Sequence, residues 1–142
     1  MQRIAMSVEF RGAAKAPEGE PPQTDPHATS VTLTAVAADG SAVDLAAASY
    51  AHHATHTGPT TFVETGTIRY DDGAAELDVE TVGEGSLGPS ADPDLLHGAV
   101  LYRVTEGRGR FAGATGMITS NFLLRPAAGE FEERQVAVVF VP

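Results

Sequence analysis

The stretch AELDVET, residues 75–81, decides the fold class of this chain. Ala75, Leu77 and Val79 alternate with acidic residues at the positions between them. Successive side chains of a β-strand point to opposite faces of a sheet, so this period of two predicts a strand with one buried and one hydrated face. No apolar stripe with the 3.6-residue period of a helix persists anywhere in the chain.

The same alternation, or a composition rich in Val, Ile and Thr, returns at short intervals along the chain. Turn residues separate these stretches, among them Asp39–Gly40, which predicts a two-residue type I′ hairpin turn. The predicted strands cover residues 4–10, 31–35, 43–53, 62–70, 75–81, 99–105, 117–124 and 135–141.

About eight strands joined mostly by short turns form a meander, and closing it into a barrel removes the edge strands that invite aggregation. We therefore expect an all-β fold, a single antiparallel meander β-barrel of roughly eight strands, with a two-sheet β-sandwich as the alternative. Residues 1–142 form one domain, in which 11–28 and 83–95 are expected to be flexible loops. A barrel of this size is just wide enough to hold one small ligand.

The charge and composition exclude several classes of partner and site. The 142 residues include 19 acidic and 9 basic side chains, and the formal net charge of −10 disfavours nucleic acid and anionic membrane surfaces as partners. The chain has no cysteine, which excludes disulfides, zinc–thiolate sites and cysteine nucleophiles. Because no stretch has the apolar run of a signal peptide or of a membrane span, we expect a cytoplasmic protein.

The segment EGRGRFAGATG, residues 106–116, carries four glycines around a central Phe111. Such glycines allow the backbone to bend sharply and to cross close to neighbouring strands, and Phe111 can plug the barrel end between them. A phosphate-binding loop is a poor alternative, because no helix N-terminus follows to receive the phosphate. The segment resembles the G-x-G-x-F-x-G-A-x-G bend of the dirigent and allene-oxide-cyclase-like barrels, which include small bacterial proteins.

That resemblance implies a barrel whose cavity shapes a reactive guest without a metal or an organic cofactor. Allene oxide cyclases close a ring in an apolar fatty-acid epoxide, dirigent proteins steer phenolic intermediates, and some bacterial relatives are polyketide cyclases. We therefore expect a cofactor-free cyclase or isomerase for a polyketide-like or lipid-like molecule, assembled as a homo-oligomer, either dimer or trimer. A non-catalytic barrel that binds or steers such a molecule is the alternative, and a structural module with a filled interior is the third hypothesis.

Four residues are candidates for catalysis. Glu64 shares a strand face with apolar residues, so it is expected to point into the barrel, where burial suits a carboxyl group to acid–base work. Tyr102 and Asn121 can hold a carbonyl or an enolate by hydrogen bonds, although the same groups can simply satisfy buried backbone atoms. His53, or its neighbour His52, is a candidate general base because histidine changes charge near neutral pH.

Five further residues are candidates for substrate binding. Arg103 lies on the strand face opposite to that of Tyr102, and the sequence leaves open which of the two faces is inward. Leu96 in addition lies beside a predicted loop, where it can cap an opening. The candidates are Tyr50, Phe62, Leu96, Arg103 and Phe122.

Two charged or histidine-rich segments are expected to carry no chemistry. His52 and His56 share a strand face but lie about 13 Å apart at ~3.3 Å per residue, too far to bind one metal ion directly, so no metal site is predicted. The acidic and basic residues at 132–134 open the last predicted strand, and we interpret them as a hydrated segment that protects an edge.

Overall fold

The computed structural model describes residues 1–142, which form ten β-strands, one short 3-10 turn and no α-helix. A helix long and apolar enough to cross a membrane is absent. The 3-10 turn, Asp71–Gly73, joins the fifth strand to the sixth. The strands are β1 (Gln2–Ala13), β2 (Gln23–Thr24), β3 (His27–Ala37), β4 (Ala48–His56), β5 (Thr61–Tyr70), β6 (Ala75–Thr81), β7 (Gly85–Pro89), β8 (Leu96–Gly109), β9 (Thr115–Arg125) and β10 (Glu130–Val141).

Eight of these strands close into an antiparallel ring in the order β1, β3, β4, β5, β6, β8, β9, β10. The first and last strands complete the ring, with pairs that run from Gln2–Val141 to Ala13–Glu130. The other links join strands that follow each other in the chain, apart from two steps past the short strands β2 and β7. The predicted meander barrel is therefore confirmed, and the sandwich alternative is wrong.

The two segments expected to be loops both contribute short strands. β2 lies within 11–28 and pairs with β4 at Thr55 and Ala54, beyond the end of the β3–β4 ladder. β7 lies within 83–95 and bridges β5 and β8, past the end of β6. Their pairing was not predictable from composition, because glycine and proline at strand ends give the same signal as a loop.

The sequence alternation places Val31 on the same face as Leu33 and Ala35, and this prediction and two others about β3 and β4 were wrong. Val31 is exposed because β3 has a bulge there: Glu9 pairs with Thr32, but the next residue of β1 pairs with Ser30. The Asp39–Gly40 turn has a three-residue loop instead of two, since the Ala37 amide donates to the Ser41 carbonyl and only Gly40 has a positive φ. β4 begins at Ala48, five residues later than predicted from 43.

Alternate side chains of the ring strands point inward and fill one end of the barrel. Phe111 is buried in the bend after β8 and packs edge-to-face on Tyr70, with ring centroids 5.4 Å apart. A Cβ atom at Gly107 would lie 2.0 Å from the Phe111 carbonyl oxygen, so this bend requires glycine. The largest fully buried side chains are those of Tyr70, Tyr102, Phe10, Phe111, Met6, Ile68, Leu77, Ile118 and Val139.

Candidate active site

The opposite end of the barrel is hollow. The cavity there has a volume of about 380 Å³, which lies within the range of small-molecule sites, about 300–1,000 Å³. Most of its wall is apolar, and prolines 17, 26, 59, 89 and 126 stand around it. The interior is therefore not packed solid throughout. Side chains that line the cavity include Tyr50, Ala54, His56, Phe62, Glu64, Leu87, Leu96, Tyr102, Phe122, Leu124, Phe131 and Glu133.

Two phenylalanine rings shape the wall of this cavity. Phe62 and Phe122 pack edge-to-face with centroids 6.2 Å apart. Each ring lies over a glycine of a neighbouring strand: a Cβ atom would lie 2.3 Å from the Phe62 ring at Gly85 and 2.1 Å from the Phe122 ring at Gly98. Of the residues predicted to bind substrate, the structure places Tyr50, Phe62, Leu96 and Phe122 on this wall.

Glu64 projects from β5 into the barrel and is held by two other strands. Its Oε2 atom lies 2.5 Å from Nδ1 of His52, on β4, and accepts a hydrogen bond of 3.0 Å from the Tyr102 hydroxyl, on β8. These contacts converge because Glu64, His52 and Tyr102 all occupy inward positions of their strands. Glu64 and Tyr102, predicted separately as catalytic residues, are thus brought together.

The two oxygens of Glu64 have different surroundings. Oε2 makes both contacts, whereas Oε1 accepts no hydrogen bond. Glu64 lines the cavity, and its Oε1 atom is not fully buried. One oxygen is therefore fixed to the protein while the other is open to a guest.

A second buried carboxyl group, Glu133 of β10, lies on the same cavity. The Tyr50 hydroxyl donates to its Oε1 atom at 2.5 Å. The Ser120 hydroxyl and the Gln135 amide, the latter at 3.3 Å, donate to Oε2. Both oxygens of Glu133 are thus engaged, in contrast to Glu64.

Burial sets the protonation of the groups around the cavity. Desolvation raises the pKa of Tyr50 and of Tyr102 well above that of an exposed tyrosine, and the nearby carboxyl groups raise both further, so both phenols stay protonated and donate. Burial also raises the pKa of Glu133, although the hydrogen bonds from Ser120, Tyr50 and Gln135 oppose that rise. The site therefore presents hydroxyl donors and two carboxyl groups in different settings.

His52 lies behind Glu64 and is completely enclosed. Its ring stacks on Tyr50, with centroids 4.1 Å apart, and meets the Tyr102 ring edge-on at 5.6 Å. Its other nitrogen, Nε2, is buried without a partner. A Cβ atom at Gly66 would lie 2.1 Å from the His52 ring, so glycine on β5 makes room for it. His52 does not line the cavity, and its Nδ1 atom contacts the Glu64 oxygen that is turned away from any guest.

Three residues predicted for the site lie on the outer surface, and none of them lines the cavity. Strand alternation explains each case, because the neighbouring residue takes the inward position. Asn121 follows the inward Ser120 and contacts His97 at 2.9 Å, His53 follows the inward His52 and contacts Asp25 at 2.7 Å, and Arg103 follows the inward Tyr102 and contacts Glu80 at 2.6 Å.

Glu133 and two of its partners, Ser120 and Gln135, were not predicted from the sequence. The residues at 132–134 were predicted to be hydrated, but Glu133 is only 3% exposed, between the outward Glu132 and Arg134. The alternation of the last strand could have revealed it, because Glu133 and Gln135 share a strand face with the apolar Val139. Reading that face as continuous would have placed a carboxyl group inside the barrel.

Comparison of the chain with protein-family models, curated proteins and solved structures found no significant match. The features that bear on function are the apolar cavity and the polar groups that converge at it.

Proposed function

We propose that this barrel is a cofactor-free cyclase or isomerase that moves a proton on a largely apolar small molecule. The observation that carries the proposal is the asymmetry of Glu64, whose Oε2 is anchored by His52 and Tyr102 while Oε1 is open to an apolar cavity. A general base needs one free oxygen in a fixed position, and this carboxylate has it.

The surroundings of Glu64 fit that role. The apolar wall formed by Phe62, Phe122 and their neighbours would exclude water and hold a guest close to the base. Tyr102 and His52 restrain the carboxylate from two sides, so little reorganisation accompanies proton transfer. The resemblance of residues 106–116 to cyclase and dirigent barrels agrees with such a cavity and gives polyketide-like or lipid-like molecules as the substrate class.

A non-catalytic carrier with the same cavity is the second candidate. It is favoured by the predominance of apolar side chains on the wall, which suits binding without chemistry. We also propose a cytoplasmic location and a homo-oligomer, which follow from the sequence and from the resemblance.

Base-catalysed ring opening of nitrobenzisoxazole tests the proposal without knowledge of the natural substrate. The probe is a small apolar bicycle whose single acidic C–H is removed as its N–O bond breaks, and the phenolate product is coloured. We expect saturable turnover by the wild type and a loss of at least about 100-fold in kcat for Glu64→Gln, since general bases contribute about 10²–10⁴-fold.

The matched control is Glu80→Gln, because Glu80 is exposed on the outer face of β6 and pairs only with Arg103. This variant should retain wild-type turnover. If the wild type binds the probe but Glu64→Gln turns it over equally fast, the carrier hypothesis replaces the enzyme hypothesis.

A further inference from the structure

We propose that Tyr50 and Glu133 form a proton-donating pair on the same cavity as Glu64, and that the substrate is an apolar carbonyl compound with an acidic C–H beside its carbonyl group. This inference depends on the proposed function, because it assigns a partner to the base. It gives the cavity two roles, removal of a proton at Glu64 and delivery of a proton to the carbonyl oxygen at Tyr50.

The pair spans two strands of the cavity wall, one of them the neighbour of the strand that carries the base. Tyr50 projects from β4 and Glu133 from β10, whereas Glu64 projects from β5, and all three line the cavity. The Tyr50 hydroxyl lies 2.5 Å from Oε1 of Glu133, close enough for a proton to pass between them. A guest in the cavity can therefore contact Glu64 and Tyr50 at the same time.

Glu133 is buried close to a second carboxyl group and forms no ion pair. It is 3% exposed, and the ionisable groups coupled to it are Tyr50, Tyr102 and Glu64. Desolvation and the neighbouring Glu64 raise its pKa, the hydrogen bonds from its three donors lower it, and the net shift is upward. Two carboxyl groups on one apolar cavity avoid carrying two charges if one keeps its proton.

The proton-transfer step balances within the chain. Glu64 Oε1 takes the C–H proton, and that electron pair forms the C=C bond of an enol as the carbonyl π pair moves to oxygen. The oxygen takes the Tyr50 hydroxyl proton, and Tyr50 takes the proton of Glu133. Glu64 ends protonated and Glu133 ends as a carboxylate. Transfer of the proton from Glu64 to a carbon of the enol, with return of the enol O–H proton through Tyr50 to Glu133, resets the site.

Ser120 and Gln135 fit the second half of this step. Both donate to Oε2 of Glu133, and Tyr50 is placed to donate to Oε1. The carboxylate left after proton delivery is thus met by three donors that are already in position, which lowers the cost of forming a buried charge. Glu64 differs in that its Oε1 atom accepts no hydrogen bond, which leaves that oxygen available to take a proton.

Infrared spectroscopy tests the protonation state without any substrate. In the wild type at neutral pH we expect the C=O stretching band of a buried protonated carboxyl group. The band should disappear in Glu133→Gln and persist in Glu64→Gln. Absence of the band from the wild type, or its loss only in Glu64→Gln, would overturn the assignment of Glu133 as the donor.

A series of benzisoxazoles with different leaving groups tests the donor role in turnover. For Tyr50→Phe we expect kcat to fall about 100-fold with the unsubstituted benzisoxazole, because its leaving oxygen needs a proton most. With the benzisoxazole that releases the most acidic nitrophenol, kcat should fall little. Tyr70→Phe is the control, because Tyr70 is buried in the same barrel but does not line the cavity.

The two proposals fail in distinguishable ways. Tyr50→Phe that loses the same factor in kcat for every leaving group would refute the donor pair. If turnover still depends on Glu64, the assignment of the base stands. Turnover that does not depend on Glu64 would refute the proposed function, whatever the infrared result.

Discussion

Replacing Gly66 with alanine tests the link between the backbone and the candidate base. The new Cβ atom would lie 2.1 Å from Cδ2 of His52 and 2.8 Å from the Ala51 carbonyl oxygen. The His52 side chain is fully enclosed between Tyr50 and Tyr102 and cannot move without giving up its contact with Glu64. The substitution therefore breaks a buried polar contact as well as the packing.

The expected cost follows from these two effects. Overpacking a core costs about 1–3 kcal/mol, and loss of a hydrogen bond to a charged group costs about 1.5–3 kcal/mol. The effects share one side chain and overlap, so we expect Gly66→Ala to lower the free energy of unfolding by about 2–4 kcal/mol. Urea denaturation followed by circular dichroism measures this, and nitrobenzisoxazole turnover should fall in the same variant.

Gly88→Ala is the matched control, because no atom lies within 4 Å of its Cβ position and its φ is not positive. Its unfolding free energy should match the wild type. The double variant Gly66→Ala with His52→Ala should lose less than the sum of the two single variants, since the clash is then removed. A stable Gly66→Ala, or strict additivity with His52→Ala, would refute the described packing.

Three further predictions concern charge and the cavity wall. Hydrogen bonds from Arg108 lower the pKa of Asp78 to about 2, from 3.8 in the unfolded chain. Asp78→Asn should therefore lower the free energy of unfolding by about 1 kcal/mol at pH 7, after allowance for solvent screening. The urea midpoints of wild type and variant should converge as pH falls from 4 to 2, and a difference in midpoint that does not change with pH would contradict this. Because burial raises the pKa of Glu133, the folded chain holds that proton more tightly than the unfolded chain, and the wild type should gain stability relative to Glu133→Gln as pH falls toward 4.5; the opposite slope would refute it. Gly98→Ala should destabilise the wild type but be tolerated in Phe122→Ala, which removes the ring 2.1 Å from the new Cβ, and equal costs in both backgrounds would contradict that contact.

The barrel was predictable from sequence because period-two alternation is a local property of each strand. AELDVET and the glycine-rich bend at 106–116 behave as their patterns predict. The bulge that exposes Val31 and the pairing of β2 and β7 were not predictable, because each depends on which strands lie opposite in the closed ring.

The candidate site was predictable in part for the same reason. Glu64 and Tyr102 were predicted as candidates because the residues two positions away on the same strand face are apolar. Three other candidates lie one residue away from an inward position, namely Asn121, His53 and Arg103. Because successive side chains of a strand point to opposite faces, a shift of one residue in assigning the inward face moves a side chain to the outer surface. The charged residues on both sides of Glu133 concealed its burial. The convergence of side chains from several strands on one cavity is a property of ring closure.

Deuterium incorporation at the carbon beside the carbonyl group of indanone, followed by proton NMR in D2O, tests the central claim most directly. The wild type should accelerate exchange over buffer, Glu80→Gln should match it, and Glu64→Gln should fall by about 100-fold or more. Equal exchange by wild type and Glu64→Gln, or no acceleration of exchange for a ketone shown by NMR to occupy the cavity, would contradict the assignment of Glu64 as a base.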